Sequence, residues 1–208
     1  ILVALLKSIS VATGAVIICL FITISLGNVI ASNHTSLGVK WLMEGTGYFV
    51  IATSPLVIGT GLFIFLYPIL NPTKFVLPLT ALVNAIMALP FSLRIILPAM
   101  QKINKDYGKL SDSIGLNGFH RFFKLTLPRL RNEIGFASGL IAALSIGDLG
   151  VVTLFSAPQS GTLPLTIYRL MGSYQMEAAK AAAFILLITC FSIFLLADKL
   201  GKSNASYK

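Results

Sequence analysis

The chain has 208 residues, 56% of them hydrophobic and 11% charged, with a mean hydropathy of +0.87. Soluble domains carry roughly 25% charged residues, so this balance excludes a water-soluble fold and points to a single membrane domain spanning residues 1–208. A net charge of +9 would suit nucleic acid, but the charges flank apolar runs, which argues against that partner.

A membrane helix takes ~20 apolar residues at 1.5 Å rise each. Five runs meet that length and predict an all-α membrane protein with five transmembrane helices. The first covers about Ser8 to Leu26. The second, Tyr48 to Leu70, holds Pro55, Gly59 and Gly61. These residues either kink a helix beside a solute path or let helices pack closely. The third, Phe75 to Met100, contains Pro78, Pro90, Asn84 and Arg94. Asn84 either bonds across to another helix or lines a path. Arg94 is placed to snorkel to the membrane surface. The fourth, Ile134 to Phe155, carries Gly135-x3-Gly139, open to the same two readings as the glycines of the second run. It also carries Asp148, ~21 Å along a helix counted from Ile134. An acid at that depth usually faces a cavity or a partner, although Gly147 and Gly150 beside it equally suit a capped helix break. The fifth covers Ala178 to Ala197.

Orientation follows from Lys and Arg. The segment between the third and fourth runs has seven of them, and its side of the membrane has eleven against four. That side is expected to be cytoplasmic, with the N-terminus outside and the C-terminus inside. A chain that opens outside without a signal pattern leads us to expect a further helix upstream. Cys19 and Cys190 sit in apolar runs and read as packing residues. His34 and His120 are isolated, so no metal site is expected.

The polar segment at residues 101–131 is patterned. Ile103, Tyr107, Leu110 and Ile114 form one stripe at helical spacing, and Gly115-Leu-Asn-Gly118 breaks it. Leu116, Phe119, Phe122 and Phe123 form a second stripe, ended by Pro128. Two short amphipathic helices are expected, either lying in the lipid interface or docking an aromatic ridge on a cytoplasmic partner.

The stretch from Lys109 to Pro128 resembles the EAA loop of the binding-protein-dependent permeases of ABC importers. Lys109-Leu110-Ser111 stands at the Glu-Ala-Ala positions, followed by three residues, Gly115, nine residues and Leu125-Thr126-Leu127-Pro128. Lys109 reverses the charge of the family's Glu. Pro55-x3-Gly59-x-Gly61, Leu89-Pro90-x3-Arg94 and Gly147-Asp148-Leu-Gly150 are similar to further stretches of that family, in the same order. Leu-Ser-Ile-Gly-Asp148, Thr162-Leu-Pro and Met171-Gly-Ser-Tyr174 are most similar to its thiamine-carrying branch.

The resemblance implies a type I (MetI-like) permease fold in a bacterial inner membrane, acting by alternating access. This chain would be the C-terminal half of a longer two-half permease. Implied partners are cytoplasmic ATPase subunits, a periplasmic solute-binding protein, a second permease half (fused or separate) and the lipid bilayer. The chain has no G-x4-G-K-[S/T] loop, so ATP and Mg would be held by the partner, this chain binding no cofactor and acting as no enzyme. Gly115, Leu116, Phe119, Phe122, Phe123 and Pro128 would dock the ATPase. Asp148, Pro55, Gly59 and Asn84 are the candidates for the solute path. Ferric iron, molybdate, sulfate and polyamine importers share this architecture. A secondary transporter would lead one to expect more charges within the membrane runs, and a membrane enzyme paired acids or a Ser/His set.

Overall fold

The computed structural model describes residues 1–31, 38, 45, 50, 52–68, 75–115, 118–155 and 161–202. All regular structure among them is helical. In chain order the elements are α1 (Leu2–Ala31), α2 (Pro55–Leu66) and α3 (Val76–Ser113). An elbow follows, made of α4 (Gly118–Arg121), a π-helix (Phe122–Thr126) and α5 (Leu127–Arg129). Then come α6 (Arg131–Ile146), α7 (Gly150–Phe155), α8 (Leu163–Gly172) and α9 (Met176–Lys202). Four stretches are long and apolar enough to cross a bilayer: α1, α3, the α6–α7 pair and α9. The second predicted run is represented by α2, which is shorter and apolar, with flanking residues outside the described set.

Small side chains set the packing. Lipid tails are as apolar as leucine, so helices associate through close contact more than through hydrophobic burial. Helices α1 and α3 run side by side in the same direction. Gly14 faces Ala81, and Ala15 and Cys19 pack with Ala85, Ala88, Leu89 and Leu93. Gly27 lies under Met100. Helix α6 returns antiparallel between them: Ile146 and Ala142 meet Ala12, while Ala137 and Leu130 meet Ile96 and Met100. Helix α9 is antiparallel to α6 and nearly touches it. A Cβ built on Gly135 would lie 2.7 Å from Gly201 Cα and 2.8 Å from the Ala197 carbonyl, and one on Gly139 would lie 3.0 Å from Phe194. The Gly135-x3-Gly139 pair is therefore a packing device, answered on α9 by Ala197-x3-Gly201. Helix α9 also carries Phe184, Leu187, Phe191 and Leu200, all exposed and suited to lipid.

The residues between the fourth and fifth runs contain α8. Its first buried N–H, from Leu163, donates to Ser8 Oγ at 2.8 Å, and Leu163 is enclosed with Ala4 and Ala182. Ser8 thus satisfies one of the donors that every helix N-terminus leaves open. At the other end of the bundle, the ends of α1 and α3, the start of α6 and the end of α9 converge. Lys102, Lys105, Lys109, Arg121, Lys124, Arg129, Arg131, Lys199 and Lys202 gather there. We call this the basic end.

Two expectations need correction. The third run and the first amphipathic helix are one helix: α3 passes through Pro90 and Pro98 and continues to Ser113. It continues because Asn104, Tyr107, Gly108 and Ser111 face inward, with Gly108 and Ser111 buried, whereas Leu110 and Ile114 are exposed. The fourth run is divided at Gly147, where α6 ends and α7 starts three residues later.

Candidate functional site

The basic end carries the elbow. Gly115 and Gly118 have φ of +72° and +52°, the left-handed region that costs other residues roughly 1–2 kcal/mol. A Cβ on either would meet nothing within 4 Å, so conformation and not space demands glycine here. Leu116 and the side chain of Phe119 lie outside the described residues. Pro128 does not end the second amphipathic stretch, as expected, but sits inside it. Proline donates no hydrogen bond to the preceding turn. The chain accommodates this with the π-helix before it, in which the Leu127 N–H reaches the Phe122 carbonyl. The helical path closes at Leu130, which is fully buried against Ile96, Met100 and Ala137.

On its outer side the basic end offers apolar groups to solvent. Leu110 is 56% exposed, Ile114 64% and Phe123 47%. Phe122 is half-buried and meets Phe123 edge to face, ring centroids 5.2 Å apart. Lys109 is exposed beside them. On its inner side the elbow is tied to the bundle. Arg121 Nη2 donates to Asn104 Oδ1, and Asn104 Nδ2 donates to the Ala31 carbonyl at 2.6 Å. A Cβ on Gly108 would lie 3.3 Å from both Arg121 Nη2 and Asn104 Oδ1, so glycine leaves room for this join. One turn along α3, the Arg129 guanidinium stacks 3.7 Å above the Tyr107 ring. Sequence reasoning missed these contacts. Asn104 and Ala31 are 73 residues apart, and no local pattern links them.

A second cluster lies within the bundle. Asn84 on α3 donates to Ser145 Oγ at 3.0 Å and to the Ser145 carbonyl at 3.3 Å. It also neighbours the Asp148 carboxylate. Asp148 Oδ1 accepts the Gly150 N–H at 3.2 Å, capping the start of α7. Its Oδ2 is buried and accepts no hydrogen bond among the described residues. Leu56, next to Pro55 at the start of α2, packs on Gly150. Gly59 is buried one turn further on. The structure thus brings Asn84 and Asp148 together and sets Pro55 beside them. Arg94 is exposed on α3, ten residues or ~15 Å from Asn84, outside this cluster. Ser145 was legible only as part of the Ser145-Ile-Gly147-Asp148 stretch. Among the described residues, no three His, Cys, Asp or Glu side chains come together as a metal site.

Comparison with known proteins gives a consistent result. A family model described as binding-protein-dependent transport system inner membrane component matches residues 23–204. The thiamine transport system permease protein ThiP of Brucella abortus is 30% identical over 203 residues, which is 97% of this chain and 37% of that protein. ThiP of Escherichia coli is 31% identical over 205 residues, covering 97% and 38%. The sulfate transport system permease protein CysW of Synechococcus elongatus is 28% identical over 137 residues, covering 62% and 48%. The chain spans less than two fifths of the length of the ThiP proteins.

Proposed function

The chain belongs to the binding-protein-dependent transport system inner membrane component family, and from that premise we propose that it is a permease subunit of an ATP-driven thiamine importer. The basic end faces the cytoplasm, because Lys and Arg are retained on that side of a bilayer. There the elbow docks on an ATPase subunit, which holds ATP and Mg. A solute-binding protein delivers thiamine to the opposite end, and a second permease half completes the path.

One observation carries this reading. Two glycines in left-handed conformation turn the chain so that Phe123 is offered to solvent with Leu110 and Ile114, surrounded by cationic groups. An apolar knob of this kind suits a groove on a protein partner, and two-state coupling needs such a rigid element. Gly115, Leu116, Phe119, Phe122 and Phe123 form the docking element, and Pro128 with its π-helix fixes the element's exit. Work done by the ATPase on the elbow rocks the helices that continue from it, which are α3 on one side and α6 on the other.

The solute assignment rests on the ThiP relatives and on the chemistry of the buried cluster. Asp148 keeps one carboxylate oxygen without a hydrogen bond among the described residues, with Asn84 beside it and the start of α2 nearby. A carboxylate there complements a cationic solute such as thiamine better than an oxyanion such as sulfate. The CysW relative keeps sulfate as the second reading. The test is uptake into proteoliposomes containing this chain with its companion permease half, ATPase and binding protein. ATP-dependent accumulation of labelled thiamine is expected. Accumulation of sulfate in its place would transfer the assignment to the second reading, and accumulation driven by a proton gradient without ATP would refute the importer class.

A further inference from the structure

A docking element can pull a helix bundle only if it is fixed to it. The covalent link from α3 to the elbow passes through Gly115 and Gly118, both in left-handed conformation. Glycine hinges transmit bending poorly, because backbone without a Cβ rotates with little penalty. Something other than the main chain has to carry force across this joint. Among the described residues, the Arg121–Asn104 and Arg129–Tyr107 contacts bridge it, and both bring a cationic side chain of the elbow onto the inward face of α3.

We infer that Arg121 and Asn104 form a latch that makes the elbow move as one body with α1 and α3. Asn104 is the keystone. Its acceptor oxygen takes the Arg121 guanidinium, and its amide donates to the Ala31 carbonyl at the end of α1. Ala31 is the last described residue of α1, and its carbonyl accepts this amide. One amide side chain therefore joins three elements, using both its acceptor and its donor. Gly108 is part of the fit, since a Cβ there would crowd both partners at 3.3 Å. Arg129 on Tyr107 grips the far side of the elbow one turn along the same face. Charge-assisted hydrogen bonds are about twice as strong as neutral ones, and a partly buried join resists competition from water and salt.

The inference rests on the reading of the elbow as the ATPase-docking element, and adds which residues convert docking into movement. Arg121 and Asn104 are positioning residues. They contact neither nucleotide nor solute, and they act by keeping the elbow in register with the bundle. With the latch open, the motor would still dock and hydrolyse ATP, but its stroke would reach only α6, through the main chain, and would be lost to α1 and α3 at the glycine joint.

The test uses the complete importer in lipid nanodiscs and proteoliposomes. In the first arm, Arg121→Ala, Asn104→Ala and the double variant are compared with the unmodified protein for ATP hydrolysed per thiamine moved. Each single variant is expected to raise that ratio about tenfold, within the range of ordinary coupling energies, while the complex still assembles. The double variant is expected to equal the singles, because residues acting through one join are not additive. An unchanged ratio in the singles, or losses that multiply in the double, would overturn the latch.

In the second arm, spin labels at Ser25 on α1 and His120 on the elbow report their separation in the otherwise unmodified latch, with Cys19 and Cys190 replaced. One narrow distance is expected, the same with and without nucleotide. A separation that changes by several ångströms between the two states would overturn the proposal even if the alanine variants failed to fold. An unmodified complex whose hydrolysis ignores loaded binding protein would refute the docking reading itself, and the latch with it. Normal coupling in that complex together with a normal ratio in the variants would sink the latch alone.

Discussion

Gly135→Ala tests how closely α6 and α9 approach. The added Cβ would sit 2.7 Å from Gly201 Cα and 2.8 Å from the Ala197 carbonyl. Non-bonded carbon atoms prefer about 3.5–4.0 Å, so the two helices must part by roughly 0.8 Å. Both opposing atoms are backbone and cannot rotate away. Overpacking costs about 1–3 kcal/mol, and the upper half of that range applies where nothing can yield. Alanine returns up to about 1 kcal/mol through its better helix propensity, leaving about 1–2 kcal/mol of destabilisation. For a chain of this length that lowers the melting midpoint by about 2–8 °C. Gly61→Ala on α2 is the control, since a Cβ there meets nothing within 4 Å. It gains the propensity and pays no steric cost, so its midpoint should hold or rise. Thermal challenge of each purified protein followed by size-exclusion chromatography reads both midpoints. Opposite signs are expected. If Gly135→Ala melts at or above the unmodified protein, the close crossing is wrong.

Three further outcomes are expected. Asp148→Asn keeps an oxygen for the Gly150 N–H and should melt normally, while Asp148→Ala loses the cap at about 1 kcal/mol. Both should slow thiamine uptake about tenfold or more if the charge meets the solute, and normal uptake by Asp148→Asn would reduce the residue to a cap. Replacing Phe122 and Phe123 together with Ala should leave the permease inserted but abolish the ATPase stimulation given by loaded binding protein, measured by phosphate release; retained stimulation would exclude them as anchors. Gly115→Ala forces φ of +72° on a residue that resists it, so co-purification of the ATPase should fall about five- to tenfold, with Gly115→Asn less affected because asparagine tolerates that conformation.

Much of the fold can be read from runs of apolar residues. Ser8 to Leu26 lies inside α1, and Ala178 to Ala197 inside α9, because length and hydropathy are local properties. The glycine of the elbow was legible for the same reason: Gly115 interrupts a helical stripe at a place where only glycine turns easily. The continuity of α3 was not legible. Pro98 and the charges from Lys102 onward look like a helix end, and what carries the helix further is burial of Gly108 and Ser111 against the rest of the molecule. The stripe is shared between two faces: Leu110 and Ile114 point outward, while Ile103 and Tyr107 are half-buried. In a docking surface, apolar side chains are exposed by design, and periodicity alone cannot tell that face from a buried one. The buried cluster was half visible. Asp148 stands out in the sequence as an acid in an oily run, but its cap on Gly150 and the bond from Asn84 to Ser145 depend on three-dimensional neighbours.

The uninterrupted helix from Val76 to Ser113 has a mechanical consequence. Its 38 residues make a rod of about 57 Å, nearly twice the ~30 Å of bilayer hydrocarbon. Rocking such a beam by only 10° about its centre swings each tip through about 5 Å, the rise of one helical turn. A small stroke passed to α3 at the elbow would then reappear at its other end so long as the turns at Pro90 and Pro98, each short of one backbone hydrogen bond, hold their angles.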